Sequence, residues 1–147
     1  MNLKDFELNF AKVKKTHPDF HFVLNKGTDE PTIASFSNDL GVEIPENVSE
    51  FFQHFNGLTT QNPDLEILRI ERWEMIDNGK LKFATINGIN ICFDCSRTNQ
   101  AGQWTILNAE TNYELTLTMS SFWSNKIWHW IRTGKEIWKD EFWLPKN

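Results

Sequence analysis

A run of glycine, proline and apolar residues between positions 33 and 57 constrains the fold more than any other part of this chain. Apolar residues recur at helical spacing on both sides of Gly41, which can adopt the left-handed conformation that ends a helix. Pro45 suits the start of a second helix, and Asn56-Gly57 suits positive φ beyond its end. The pattern therefore predicts two short, tightly linked helices. Their apolar stripes are Ile33, Phe36 and Leu40, then Val48, Phe51, Phe52 and Phe55.

The flanking sequence predicts an antiparallel sheet with helices before and after it. The spacing of Leu3, Phe6, Phe10 and Val13 predicts a helix over 2–15. Ser120 or Ser121 can cap a closing helix. Alternating apolar residues separated by turn signals predict strands near 20–24, 65–70, 81–86, 89–93, 104–107 and 113–117. The expected fold is α+β, a single domain over 1–147 with four to six antiparallel strands and N-terminal and C-terminal helices packed on them.

Length and composition favour a cytoplasmic protein of one domain. The 147 residues contain no low-complexity linker and no internal repeat. No apolar run approaches the ~20 residues that span a bilayer, and the first residues lack the apolar stretch of a signal peptide. We therefore expect no membrane partner and a cytoplasmic location.

Acidic residues are concentrated around the predicted helix pair. The net charge is −5, and no Lys or Arg occurs between Lys26 and Arg69, where eight acidic residues lie. This balance argues against a nucleic-acid partner, because such proteins gather Lys and Arg on one face. Two explanations stay open. The acids either favour helix N-termini and water, or form an acidic face for a basic partner.

The sequence gives little indication of catalysis. It lacks the common phosphate-binding, dinucleotide-binding, zinc-protease and serine-hydrolase motifs. Cys92 and Cys95 form a C-x-x-C pair, but no further Cys completes a zinc site, and Cys92 continues a strand pattern. We expect two reduced thiols, no metal, no cofactor and no catalytic residue, with a metal or redox role for the pair as a distant alternative.

For three tryptophans near the C-terminus, the sequence favours neither burial in the core nor a position at a protein interface decisively, and both roles stay open. Trp128 falls about 140° away from the apolar face of the closing helix, at ~100° per residue. Trp138 and Trp143 follow it. Exposed Trp is enriched at protein interfaces, whereas burial in the core is the common outcome for this residue type.

Three stretches of the chain resemble the SUKH superfamily, the Smi/Knr-type domain of bacterial toxin-immunity proteins and of a fungal cell-wall regulator. The resemblance covers residues 30–133. Its motifs are Leu40-Gly41, Ile44-Pro45, Phe51-Phe52 and Asn56-Gly57 in the helix pair, Ile91-Cys92-Phe93-Asp94 with Gly102 and Trp104 in the sheet, and Ser121-Phe122 before the last helix. Two departures are Ile44, where the family usually has Leu, and Gly88-Ile89-Asn90, where it often has Gly-Asp.

The resemblance implies an α+β domain without established catalytic residues and a function in binding another protein. The expected function is immunity, in which the protein neutralises a cognate toxin of nuclease or deaminase type that has a basic surface. The alternative is an intracellular regulatory adaptor. The expected partner-binding residues are Asp39, Glu43, Glu46, Glu50 and Trp128, on a monomer or weak homodimer.

Overall fold

Antiparallel strands occupy the centre of the molecule, and helices precede and follow them. A computed structural model describes residues 2–139. The helices are α1 (Phe6–Thr16), α2 (Glu30–Leu40), α3 (Glu46–His54), α4 (Met119–Ser121) and α5 (Trp128–Thr133). The strands are β1 (His21–Lys26), β2 (Phe55–Gln61), β3 (Leu65–Ile67), β4 (Glu74–Asp77), β5 (Lys80–Ile86), β6 (Ile89–Asp94), β7 (Thr105–Asn108) and β8 (Glu114–Thr116). A π-helical stretch, Phe122–Ile127, joins α4 to α5, and 3₁₀ turns cover Leu3–Asp5 and Ile70–Arg72.

All eight strands belong to one sheet in which every pair is antiparallel. The strand order is β1-β2-β3-β5-β6-β7-β8, and β4 pairs with β5 alone. Asn87 and Gly88 both have positive φ, as expected for the tight turn between β5 and β6. The predicted α+β class is confirmed, with eight strands in the described residues rather than four to six.

The hydrophobic core lies between one face of the sheet and the helices. Phe10 of α1 meets Phe22 of β1 with ring centroids 5.1 Å apart. Further along the sheet, Phe83 stacks on Phe93 at 3.8 Å, and Phe122 of the C-terminal helical stretch reaches Phe83 at 5.7 Å. The opposite face carries half-buried polar side chains, including Thr59, Glu66, Thr85 and Asn90. The abundant aromatic residues thus join the helical layers to the sheet.

Three local predictions are corrected by the structure. Helix α3 ends at His54, and Asn56-Gly57 lies inside β2 rather than in a turn after the helix. The strand predicted over 65–70 ends at Ile67, and beyond it the Ile70 N–H donates to the Asn56 side chain rather than to a neighbouring strand. The closing helix is capped by Thr118, whose hydroxyl accepts from the Ser121 N–H, and not by Ser120 or Ser121.

Within residues 2–139, no helix has the length and apolar content that crossing a membrane would require.

Candidate protein-binding site

Local capping fixes α2 and α3, which carry Glu30, Asp39, Glu46 and Glu50. Asp29 caps α2 by accepting the Thr32 N–H at 2.9 Å, and Gly41 ends it with φ of 69°. Pro45 then precedes α3. Ile33 is buried on α2, and α3 buries three residues, Val48, Phe51 and Phe52. Because the apolar stripes face the core, the acidic residues of both helices are turned towards solvent.

Four glutamates surround one open depression on this surface, which we call the acidic depression. It is lined by Glu30, Glu43, Glu46 and Glu50, and its volume is about 780 Å³. All four glutamates are exposed. Asp39, the other acidic residue expected at the site, is also exposed, but it lies on α2 outside the lining of the depression. The structure therefore brings three of the four predicted acids together and adds Glu30.

The charge of the acidic depression is not neutralised by ion pairs in the described part of the chain. The ion pairs there are Arg72 with Glu66 and Lys139 with Glu136. The glutamates of the depression belong to neither pair, and the segment that bears them contains no Lys or Arg. Hydrogen bonds from the side chain and backbone of Thr32 lower the pKa of Asp29 at the start of α2. Neighbouring like charges without counter-ions create a negative potential that attracts a basic surface.

Trp128 lies at a different place from the predicted acids. Its half-buried ring packs 5.7 Å from Phe10, beside a small pocket of about 190 Å³ that Phe6 and Trp123 also line. None of the predicted acids lines that pocket. Trp138 is buried against Trp130 at 5.1 Å, so it belongs to the core, and Trp143 is outside the described residues. The five residues predicted for partner binding therefore do not line one depression.

The two cysteines are free thiols that are buried to different degrees. Cys92 is buried, and burial raises the pKa of its thiol to about 11. Cys95 is half-buried beside Met75, with the two sulfurs 3.9 Å apart, and burial raises its pKa as well. A raised pKa lowers the thiolate fraction that attacks disulfides or binds metals. Residues 2–139 contain no cluster of three or more His, Cys, Asp or Glu side chains suited to a metal.

The structure also places two polar residues near the ends of regular elements, Asp94 on β6 and His54 on α3. Asp94 ends β6 and accepts from both the N–H and the hydroxyl of Ser96, at 3.1 and 2.6 Å, so it caps the turn that follows the strand. His54 ends α3 and lines the acidic depression. The sequence alone did not place Glu30 at the site, because its approach to Glu43 and Glu50 depends on how α2 and α3 pack. His54 lies one helical turn after Glu50 on α3, so the helix period itself brings these two residues together.

The sequence matches no protein-family model and no curated protein.

Proposed function

We propose that this protein is a cytoplasmic immunity protein of the SUKH type, which binds a basic surface of a cognate toxin and blocks it by occupying that surface. The proposal rests on the motif resemblance. The observation that carries it is the acidic depression, whose exposed glutamates, Glu30, Glu43, Glu46 and Glu50, form no ion pair with residues 2–139. A toxin that acts on nucleic acid needs a basic cleft for the phosphates of its substrate. Carboxylates placed on such a cleft compete with those phosphates.

The mode of action is binding without bond-making or bond-breaking. An exposed group of like charges accelerates the encounter with an oppositely charged protein, and salt screens this effect. Inhibition is then stoichiometric, and its rate of onset depends on ionic strength. An adaptor, the alternative function, would bind its partner without abolishing the activity of that partner.

The test measures association with purified nuclease and deaminase toxin domains encoded next to the gene of this protein. We expect one of these domains to be inhibited at a 1:1 ratio, with an association rate that falls at least tenfold between about 50 and 500 mM NaCl, as for steered encounters. The E43Q/E46Q/E50Q variant should associate more slowly at low salt. The E7Q/E110Q/E114Q variant removes the same charge elsewhere and should keep the original rate.

Three results would contradict the proposal. Binding without inhibition would favour the adaptor. An association rate that is indifferent to salt, or equally slow in both triple variants, would remove the acidic depression from the mechanism.

A further inference from the structure

A small pocket lies between α1 and the C-terminal helical stretch, and we call it the aromatic pocket. Four ring residues line it, Phe6, Phe10, Trp123 and Trp128, and its volume is about 190 Å³. Phe6 stacks on Trp123 with ring centroids 4.5 Å apart, and Phe10 lies 5.7 Å from Trp128. The first three rings are buried, whereas Trp128 is half-buried. The pocket therefore has a packed apolar base and an accessible indole at its side.

The π-helical stretch brings the two tryptophans to one pocket. In an α-helix, residues five positions apart point ~140° away from each other, at ~100° per residue. Here the Trp128 N–H donates to the Trp123 carbonyl oxygen, which is the π-helical pattern and places the two residues about one turn apart. Both side chains consequently line the aromatic pocket. Short π-helical interruptions of this kind occur frequently at functional sites.

Polar groups without hydrogen-bond partners also border the pocket. Asn9 and Ser124 line it and, like Trp128, are half-buried. Within residues 2–139, no hydrogen bond engages the Asn9 amide, the Ser124 hydroxyl or the Trp128 indole N–H. These groups offer both donors and acceptors to a ligand. An apolar lining with a few polar groups is the usual construction of a small-molecule site.

The lining favours an uncharged ligand. Among the described residues that line the aromatic pocket, none is Asp, Glu, Lys, Arg or His. Asp5 accepts from Nδ2 of Asn2, a lining residue, at 2.7 Å, but Asp5 is exposed and does not itself line the pocket. A charged ligand placed against the rings would lose its water without gaining an ion pair from the lining.

The volume limits the ligand to a single ring. An apolar cavity of about 150 Å³ is large enough for benzene. The volume of about 190 Å³ leaves room for a substituent of a few atoms. The surrounding rings favour an aromatic ligand, because aromatic pairs gain from edge-to-face and offset stacking beyond the area that they bury. The Asn9 amide both donates and accepts, and a carboxamide substituent does the same.

We propose that the aromatic pocket binds an uncharged, single-ring aromatic carboxamide. The ring packs against Phe6, Trp123 and Trp128, and the carboxamide exchanges hydrogen bonds with the polar side chains at the border, Asn9 above all. This site is separate from the acidic depression and does not depend on the proposed immunity function.

The experiment titrates benzamide into the full chain and follows the tryptophan indole N–H signals by NMR. The Trp128 signal is assigned from its loss in Trp128→Phe. Three control compounds of similar size change one property each, since benzoate and benzamidinium are charged and cyclohexanecarboxamide lacks the aromatic ring. We expect benzamide to shift the Trp128 signal saturably, with a dissociation constant of about 1 mM or lower. The controls should bind at least about fivefold more weakly.

Two matched variants test the contribution of the Asn9 amide. Asn9→Leu removes the amide at similar size and should weaken benzamide binding about fivefold through the loss of hydrogen bonding. Asn125→Leu makes the same change at an exposed position outside the lining and should leave the affinity unchanged. Ser124→Leu fills the pocket and should abolish binding, which provides a second test if Asn9→Leu does not fold. Thermal unfolding of each variant checks the fold.

Several outcomes would overturn the proposal. These are the absence of a saturable shift up to about 10 mM benzamide, binding of benzoate or benzamidinium as tight as that of benzamide, and equal loss in Asn9→Leu and Asn125→Leu. Tighter binding of N-acetylphenylalaninamide than of benzamide would identify an aromatic side chain of a partner protein as the occupant instead.

Discussion

Gly57 is a residue whose replacement we expect to damage the fold, because both its backbone conformation and its surroundings exclude a side chain. Its φ is 83°, and a Cβ atom at this position would lie 2.4 Å from the carbonyl oxygen of Ile67. Gly102 has a similar φ of 71° but open space where its Cβ would be. A non-glycine residue in the left-handed region costs roughly 1–2 kcal/mol. Gly57 therefore combines the same backbone cost with a steric overlap against main chain.

We predict a large difference in the free energy of unfolding between two Gly→Ala variants, measured by urea denaturation. Gly102→Ala should lower the free energy of unfolding by about 1 kcal/mol. Gly57→Ala should lower it several-fold more or prevent folding, because Ile67 is held by its pairing with Leu58 and cannot move away independently. Equal losses in the two variants would show that the contact with Ile67 has no energetic consequence.

Gly57 shows which structural features a local residue pattern predicts and which it does not. Asn56-Gly57 indicates positive φ, and Gly57 has it. Ile67 lies ten residues after Gly57, and pairing between β2 and β3 brings the two residues together, so the local sequence contains no sign of this contact. The same holds for Cys92: its strand position was predictable, whereas the complete burial that raises its pKa depends on neighbouring strands.

At the scale of elements, Asn56 joins the start of β2 to the 3₁₀ turn that separates β3 from β4. Its Oδ1 accepts the Ile70 N–H at 2.8 Å, and its Nδ2 donates to Glu71 at 2.7 Å. Asn56 is buried, so water cannot replace these bonds easily. The side chain thereby ends the β3 ladder and turns the chain towards β4.

We expect Asn56→Ala to lower the free energy of unfolding by about 1–3 kcal/mol, because it leaves a buried N–H without an acceptor. Asn56→Asp keeps an acceptor for Ile70 but places a carboxylate beside Glu71. Its stability should therefore improve as the pH falls and either carboxylate becomes protonated, a trend that Asn56→Ala should lack. Chemical denaturation at pH 7 and pH 4.5 measures both effects. Equal pH dependence in the two variants would contradict this account.

Elements with local signals were predictable, and elements defined by distant pairing were not. α2 and α3 follow from Gly41, Pro45 and the apolar stripes on both sides of Gly41, which are local signals. β2 was missed because Asn56-Gly57 is typical of a turn, although β1 and β3 pair on its two sides. β4 is short and fully exposed, so it lacks the alternating burial that marks a strand. The π-helical stretch over Phe122–Ile127 has no counterpart in the predicted periodicity.

At the scale of the whole molecule, negative charge is distributed unevenly. The ion pairs within residues 2–139 involve residues outside the acidic depression. Eight acidic residues lie between Lys26 and Arg69, and this stretch of sequence contains no Lys or Arg. Sequence alone located this excess of charge. It could not show that Glu30 joins the depression or that Trp128 lies apart from it, since both depend on packing between elements.

Unpaired acids of this kind should reduce stability, and the reduction should disappear at high salt. Glu43→Gln with Glu50→Gln should raise the melting temperature at about 10 mM NaCl, where the Debye length is ~30 Å, and have little effect at about 1 M, where it is ~3 Å. Glu74→Gln with Glu114→Gln is the matched control. It should give no such gain, because Glu74 lies opposite Lys82. A loss of stability at low salt in the first variant would mean that these glutamates stabilise the fold, and their exposure would then indicate a structural role rather than a surface kept for a partner.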